Sequence, residues 1–222
     1  MQDASLAWGE YAMRYKLAIF DFDGTLADSF PFFAEVFNDL AIRHGFRKVA
    51  QREVDPLRRL GAREIMRHVG LPARKLPVVA KDFIGLMRER RHLIAPFRGV
   101  PELLTTLRDA GVELGIVSSN AHDNVISILG PAAGAVTHFA CGMSIFGKGA
   151  HLRKLLRRSR VDRASAIYIG DQVSDLEAAH AEGVAFGAVS WGYTAFEHLQ
   201  EAGAEHTFRD VSDIAELLVH ST

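Results

Sequence analysis

Leu17-Ala18-Ile19-Phe20-Asp21-Phe22-Asp23-Gly24-Thr25-Leu26-Ala27-Asp28-Ser29 is the stretch on which the reading of this chain turns. Leu17 to Phe20 is a short apolar run of the kind that fits a buried strand. It delivers two carboxylates, Asp21 and Asp23, at the strand's carboxyl end, and Gly24-Thr25 then forces a turn. In open α/β sheets, ligands bind at that end of the strands. Two carboxylates one residue apart repel each other unless a cation sits between them. The simplest physical reading is a metal site that also offers a carboxylate nucleophile.

Working outward, the 222 residues suffice for one large domain or a domain carrying an insert. A hydrophobic content of 48% and a charged content of 24% belong to an ordinary globular protein. The net charge of −1 gives no push toward nucleic acid or membrane. The charge is unevenly spread, however. Ser29 to Arg98 holds 15 Lys and Arg against 7 Asp and Glu, an excess of +8 that leaves −9 on the remainder and hints at two units. Cys141 is the only cysteine, so no intrachain disulfide forms, and a reducing cytoplasm is the expected compartment. No apolar run approaches the roughly 20 residues of a membrane helix, and Met1 to Arg14 has no signal-peptide pattern. Residues 1–12 are assigned no function.

After Asp28 the periodicity becomes helical. Phe32, Phe33, Val36, Phe37, Leu40 and Ala41 recur at three- and four-residue spacing, with Pro31 in the first turn and Gly45 as the stop. Further helices are expected at 62–69 and 76–91, with no strand between 30 and 95, and the linker Pro96-Phe97-Arg98-Gly99-Val100-Pro101 closes this insert. Helix and strand then alternate: helix from Pro101, strand 112–117, helix 121–129, strand 136–140, helix 149–159, strand 166–169, helix 175–182, strand 184–189 and a last helix 211–219. That alternation predicts an α/β fold with a doubly wound parallel sheet, a Rossmann-like core.

Chemistry collects at three more places. The second strand ends in Ser118-Ser119-Asn120, which offers hydroxyl and amide donors to an anion and is equally a helix-cap sequence. Lys148 sits between Gly147 and Gly149 before a helix, where a fixed ammonium can neutralise phosphate or hold a nucleophilic carboxylate ionised; a lone surface Lys would look the same. The fourth strand runs into Asp171-Gln172-Val173-Ser174-Asp175, and Asp175 also suits a helix start. These motifs hold hard oxygen ligands and no His or Cys, which favours Mg2+ over zinc. The ten histidines are scattered and read as surface or core residues.

In this order and spacing, Asp21-Phe22-Asp23-Gly24-Thr25-Leu26, Ser118, Lys148 and the Asp171–Asp175 pair resemble the four motifs of the haloacid-dehalogenase-like phosphohydrolases over about residues 16–192. The nearest resemblance is to phosphoglycolate phosphatases with a small helical cap. It implies an α/β catalytic core of residues 1–28 and 99–222, with a helical cap of 29–98 inserted after the first strand. It further implies Mg2+ bound through Asp21, the backbone carbonyl of Asp23 and Asp171, with Asp175 outside them. Asp21 would be the nucleophile and Asp23 the general acid and base, with Lys148 neutralising charge. Gly24, Thr25, Ser118, Ser119 and Asn120 would contact the phosphate. Leu60-Gly61-Ala62-Arg63-Glu64 resembles the cap loop that reaches the substrate, with Arg63, and next Arg59, as anion-holding residues.

A small phosphorylated metabolite is the implied partner, with no nucleic acid or membrane and with the chain as monomer or homodimer. Asp23 argues against a dehalogenase, whose leaving halide needs no proton. A phosphomutase of the same fold and a non-catalytic binding or regulatory member are the competing readings. A phosphonate hydrolase is also weighed, but Lys48, Lys75 and Lys81 lack a recognisable setting for it.

Overall fold

A computed structural model describes residues 14–60, 62–142 and 147–220. The expectations for residues 1–12 and Gly61 lie outside those residues.

The centre is β1 (Leu17–Phe20), a run with no exposed side chain. It pairs in parallel with β2 (Glu113–Val117) on one side and β4 (Ala166–Gly170) on the other; Phe20 stands opposite both Ile116 and Ile169. With β3 (His138–Ala140), β5 (Ala185–Val189) and β6 (His206–Phe208), the six parallel strands follow the order β3-β2-β1-β4-β5-β6. The order reverses between β1 and β4, which opens a crevice at their carboxyl ends.

Between β1 and β2 lie α1 (Phe30–His44), α2 (Gln51–Leu57), α3 (Ala62–His68), α4 (Leu76–Glu89) and α5 (Val100–Asp109). The first four occupy the stretch read as an insert. The remaining helices are α6 (His122–Leu129), α7 (Lys148–Ser159), α8 (Val173–Ala181), α9 (Phe196–Glu201) and α10 (Val211–His220).

Both faces of the sheet are covered, which explains why β1 is apolar throughout rather than alternating. Ala18 and Phe20 belong to a core with Leu103, Leu104 and Leu107 of α5, Val125 of α6, and Ile214 and Leu218 of α10. Leu17 and Ile19 face Leu152, Leu155 and Leu156 of α7, Leu176 of α8 and Leu199 of α9.

The sequence expectation of five strands misses β6, which has three residues and one buried side chain, Phe208. It also misses α9 and α2; α2 is short and carries Pro56 internally. The helix expected from Gly149 starts one residue earlier, so Lys148 is a helical residue rather than a loop one. Similarly, α8 begins at Val173, which places Asp175 inside the first turn.

Candidate active site

The site forms where β1 and β4 end. Asp21 follows β1 directly, and its N–H donates to Ile169 O at 2.9 Å, continuing the ladder for one more residue. Asp171 follows β4. Asp175 stands one turn further on, in α8, and its Oδ2 accepts from the Gln172 N–H at 3.1 Å, so it also closes the start of that helix. Carboxylate oxygens of Asp21, Asp171 and Asp175 lie within 4.8 Å of one another, and all three residues are buried.

Lys148, the first residue of α7, points its ammonium into this group, 2.9 Å from Asp21 Oδ2 and 2.5 Å from Asp175 Oδ1. Tyr168, inward-facing on β4, donates its hydroxyl to the same Asp175 oxygen at 3.1 Å. Asp171 is fixed from two sides: Thr25 Oγ1 donates to Oδ1 at 3.0 Å, and the Tyr193 N–H donates to Oδ2 at 2.7 Å.

Three buried carboxylates thus face one ammonium, an excess of two negative charges that neighbouring dipoles only partly offset. The titration shifts follow from this. Burial, reinforced by Asp175 and opposed by Lys148, pushes the Asp21 carboxyl well above its usual range. Burial and then Asp175 push Asp171 up to about 7 against the Tyr193 N–H, Lys148 and Thr25. Burial alone would depress Lys148, but Asp175 and Asp21 outweigh it and hold the ammonium charged. The donor set consists of hard carboxylate oxygens with surplus negative charge, which fits Mg2+.

Asp23 takes no part in the carboxylate cluster. Its side chain turns toward Asn120, whose Nδ2 donates to Oδ2 at 3.1 Å. It is partly open to the cavity described below. It is nevertheless enclosed enough that burial raises its carboxyl, with Ser29 and Asn120 opposing. A carboxyl displaced upward in this way is suited to carry a proton.

The other expected residues are placed as follows. Gly24 adopts φ +86°, a left-handed conformation, and a Cβ there would run into the Tyr193 ring and the Asp171 carboxylate. Thr25 is buried and spends its hydroxyl on Asp171. Ser118 is buried, and its Oγ accepts from the Asn120 N–H at 3.0 Å. Ser119 and Asn120 line the cavity at the end of β2. Arg63 and Arg59 are exposed, and neither is among the residues that line the cavity.

Val189–Tyr193, a stretch that also looks like the family's after the fifth strand and is assigned no catalytic role from sequence, shapes the site. Trp191 Nε1 donates to Thr25 O at 3.1 Å, and Gly192 packs so closely on Asp171 that a Cβ would overlap its side chain. The Tyr193 hydroxyl meets Ser29 Oγ at 3.0 Å. Arg58, at the end of α2, donates to Gly192 O at 2.5 Å and to Tyr193 O at 3.1 Å, fastening the helical insert to this loop. The Trp-Gly-Tyr triplet, with its small residue between two large ones, was the available signal for close packing.

A cavity of about 670 Å³ opens from Asp21, Asp23 and Lys148 into the space beneath α1, α2, α3 and α4.

Comparison with known proteins agrees with this geometry. Residues 18–189 match the family model described as haloacid dehalogenase-like hydrolase. A phosphoglycolate phosphatase of Synechococcus elongatus is 32% identical over 199 residues, covering 88% of this chain and 93% of that protein. An N-acetylmuramic acid 6-phosphate phosphatase of Pseudomonas aeruginosa is 26% identical over 82% of this chain and 84% of its own. A crystal structure from Lactobacillus plantarum, provisionally named a phosphoglycolate phosphatase, superimposes with a TM-score of 0.79 at 24% identity, over 92% of this chain and 100% of that one. At that identity the likeness is one of fold. The chain belongs to the haloacid dehalogenase-like hydrolases, and within them it is a phosphoric monoester hydrolase.

Proposed function

We propose that the chain is a Mg2+-dependent phosphatase that hydrolyses a small phosphomonoester through an aspartyl-phosphate on Asp21. Phosphoglycolate, on which relatives are named, is the first compound to test. The observation that carries the reading is the meeting of Asp21, Asp171 and Asp175 around Lys148, with Asp23 beside them but outside the cluster. In this reading residues 29–98 act as a cap over a core of 1–28 and 99–222, and the enzyme works in the cytoplasm as a monomer or homodimer.

Asp21, Asp171 and the backbone of Asp23 would hold the ion, with Asp175 supporting them and holding Lys148. When bound, Mg2+ supplies positive charge against the phosphoryl oxygens. A carboxylate oxygen of Asp21 attacks phosphorus while the ester P–O bond breaks, and its electron pair leaves with the alcohol oxygen. Asp23 gives that oxygen its proton, and so must begin the cycle protonated. In the second step Asp23 takes a proton from water as the water oxygen attacks phosphorus and the P–O bond to Asp21 breaks, releasing inorganic phosphate. Lys148 orients Asp21 and offsets charge on the transferring group. Ser119 and Asn120 line the approach, Thr25 holds Asp171, and the insert excludes water.

The test is a screen of phosphorylated metabolites with and without Mg2+, beside Asp21→Asn. The expected result is phosphate release that depends on Mg2+ and is abolished in a folded Asp21→Asn protein. Normal turnover by that variant would overturn the assignment of the nucleophile.

A further inference from the structure

The cavity beneath the insert is lined largely by apolar side chains, several of them only half-buried. Helix α1 carries two apolar stripes. Phe32, Val36 and Leu40 are buried, whereas Phe30, Phe33 and Phe37 remain only half-buried and border the cavity. Phe46 and, from α4, Phe83 face the same space, also half-buried.

These rings meet tilted or edge-to-face along the cavity wall. Phe33 lies 5.3 Å from Phe37, 5.7 Å from Phe83 and 5.6 Å from Tyr193, ring centre to ring centre. Protein interiors ordinarily fill such space, because each unfilled wall forfeits dispersion contacts. A volume of about 670 Å³ falls within the range of pockets for drug-sized ligands. A two-carbon acid would leave most of it empty.

Charge points the same way. Among the described residues, the cations lining the cavity are Lys148 and Arg58. Lys148 is held by Asp21 and Asp175, and Arg58 donates to two backbone carbonyls with its guanidinium over the Phe30 ring. The Asn38 amide, also on the wall, is spent in both directions on the backbone of Val49. A second carboxylate or phosphate carried on the substrate would meet no uncommitted cation among these lining residues, at high desolvation cost.

We infer that the phosphomonoester taken by this site carries a bulky, uncharged apolar group, aromatic in size, which fills the cavity between α1 and α4 while its phosphate meets Asp21. This rests on the phosphatase reading above and specifies its substrate class. The apolar body is held by Phe33, Phe37 and Phe83, and it orients the ester bond toward Asp21 and Asp23.

The test compares kcat/KM, with Mg2+, for 2-(1-naphthyl)ethyl phosphate, ethyl phosphate and 2-phosphoglycolate, in which the leaving group is always a primary alcohol or its close analogue. The naphthylethyl ester is expected to exceed the ethyl ester by at least about tenfold, chiefly through KM. Phe33→Ser and Phe83→Leu are each expected to lower the ratio of the two by at least about threefold. The ratio is read only in variants whose circular dichroism and melting show a folded chain.

Preference for phosphoglycolate, or equal use of the two alkyl esters, would overturn the inference while leaving the phosphatase reading intact. An unchanged ratio in both variants would overturn it too. Turnover of none of the three, with phosphate released from other esters in the metabolite screen, would overturn the inference and leave the phosphatase reading intact; release from no ester at all would remove both.

Discussion

Chelating divalent cations and then raising the pH from 5 to 8 is expected to loosen this fold, and Asp171 sets the size of the effect. Its carboxyl is buried, close to Asp175, and raised from 3.8 to about 7. The folded chain therefore holds a proton on Asp171 across a window in which the unfolded chain has released it. A carboxyl raised on folding contributes stability that is fully present below the unfolded value and is lost as the pH climbs through the folded one. The part of that window crossed between pH 5 and 8 runs from 5 to about 7, so at 1.36 kcal/mol per pH unit the loss amounts to roughly 3 kcal/mol. Asp21 and Asp23 are also raised and act in the same direction. His206, lowered by burial, acts in the opposite one.

The assay is urea unfolding followed by far-ultraviolet circular dichroism in EDTA at several pH values, for the natural chain and for Asp171→Asn. The constant cost of the substitution drops out, so the difference between the two isolates the titration. The natural chain is expected to lose stability relative to Asp171→Asn as the pH rises. Mg2+ at about 100 times its dissociation constant should return about 2.7 kcal/mol at pH 8. A difference between the two chains that does not change with pH would refute the reasoning.

Lys148→Met leaves the buried carboxylates without their ammonium; we expect a loss of about 3–5 kcal/mol in metal-free unfolding free energy and a kcat lowered by about 10²–10³. A variant as stable as the natural chain in EDTA would contradict the charge count. Asp23→Asn removes the proposed proton donor, and kcat should fall by about 10²–10⁴ on alkyl phosphates but much less on nitrophenyl phosphate in the first, phosphoryl-accepting step, measured as a burst. Equal losses on both would argue against an acid role. Thr25→Val deletes the hydroxyl that holds Asp171 and should weaken Mg2+ binding, followed by calorimetry, by about 10–100-fold. Unchanged affinity would show that the Tyr193 N–H suffices.

The core of this fold was legible because it rests on short-range pattern. Leu17 to Phe20 is apolar on both faces, and the strands and helices after Pro101 alternate with clear stops, so the sheet could be read almost strand by strand. The charged cluster was legible for a related reason: Asp21, Lys148 and Asp171 each sit at the end or start of a regular element. What escaped depends on contacts between distant residues. Arg58 reaches Gly192 and Tyr193 across more than 130 positions, and Thr25 reaches Asp171 across 146. No periodicity announces such pairs.

The short elements, α2 with its internal Pro56 and β6 with its one buried Phe208, carry too few apolar residues to stand out. Helix α1 shows a subtler limit. Its phenylalanines at three- and four-residue spacing mark an apolar face, but spacing alone does not separate a face that is packed from one that borders a cavity. Arg63 illustrates the reverse: the insert's basic excess and a cap-like loop suggested an anion contact, whereas the structure places this side chain outside the cavity wall.

The account stands most directly on Asp21 as the atom that carries the phosphoryl group. The decisive measurement is an acid quench of the protein during turnover of nitrophenyl phosphate with Mg2+, followed by peptide mass spectrometry. The account predicts a hydroxylamine-sensitive phosphoryl adduct on Asp21, enriched in Asp23→Asn and absent from Asp21→Asn. An adduct on another residue, or steady turnover with none in either chain, would contradict it.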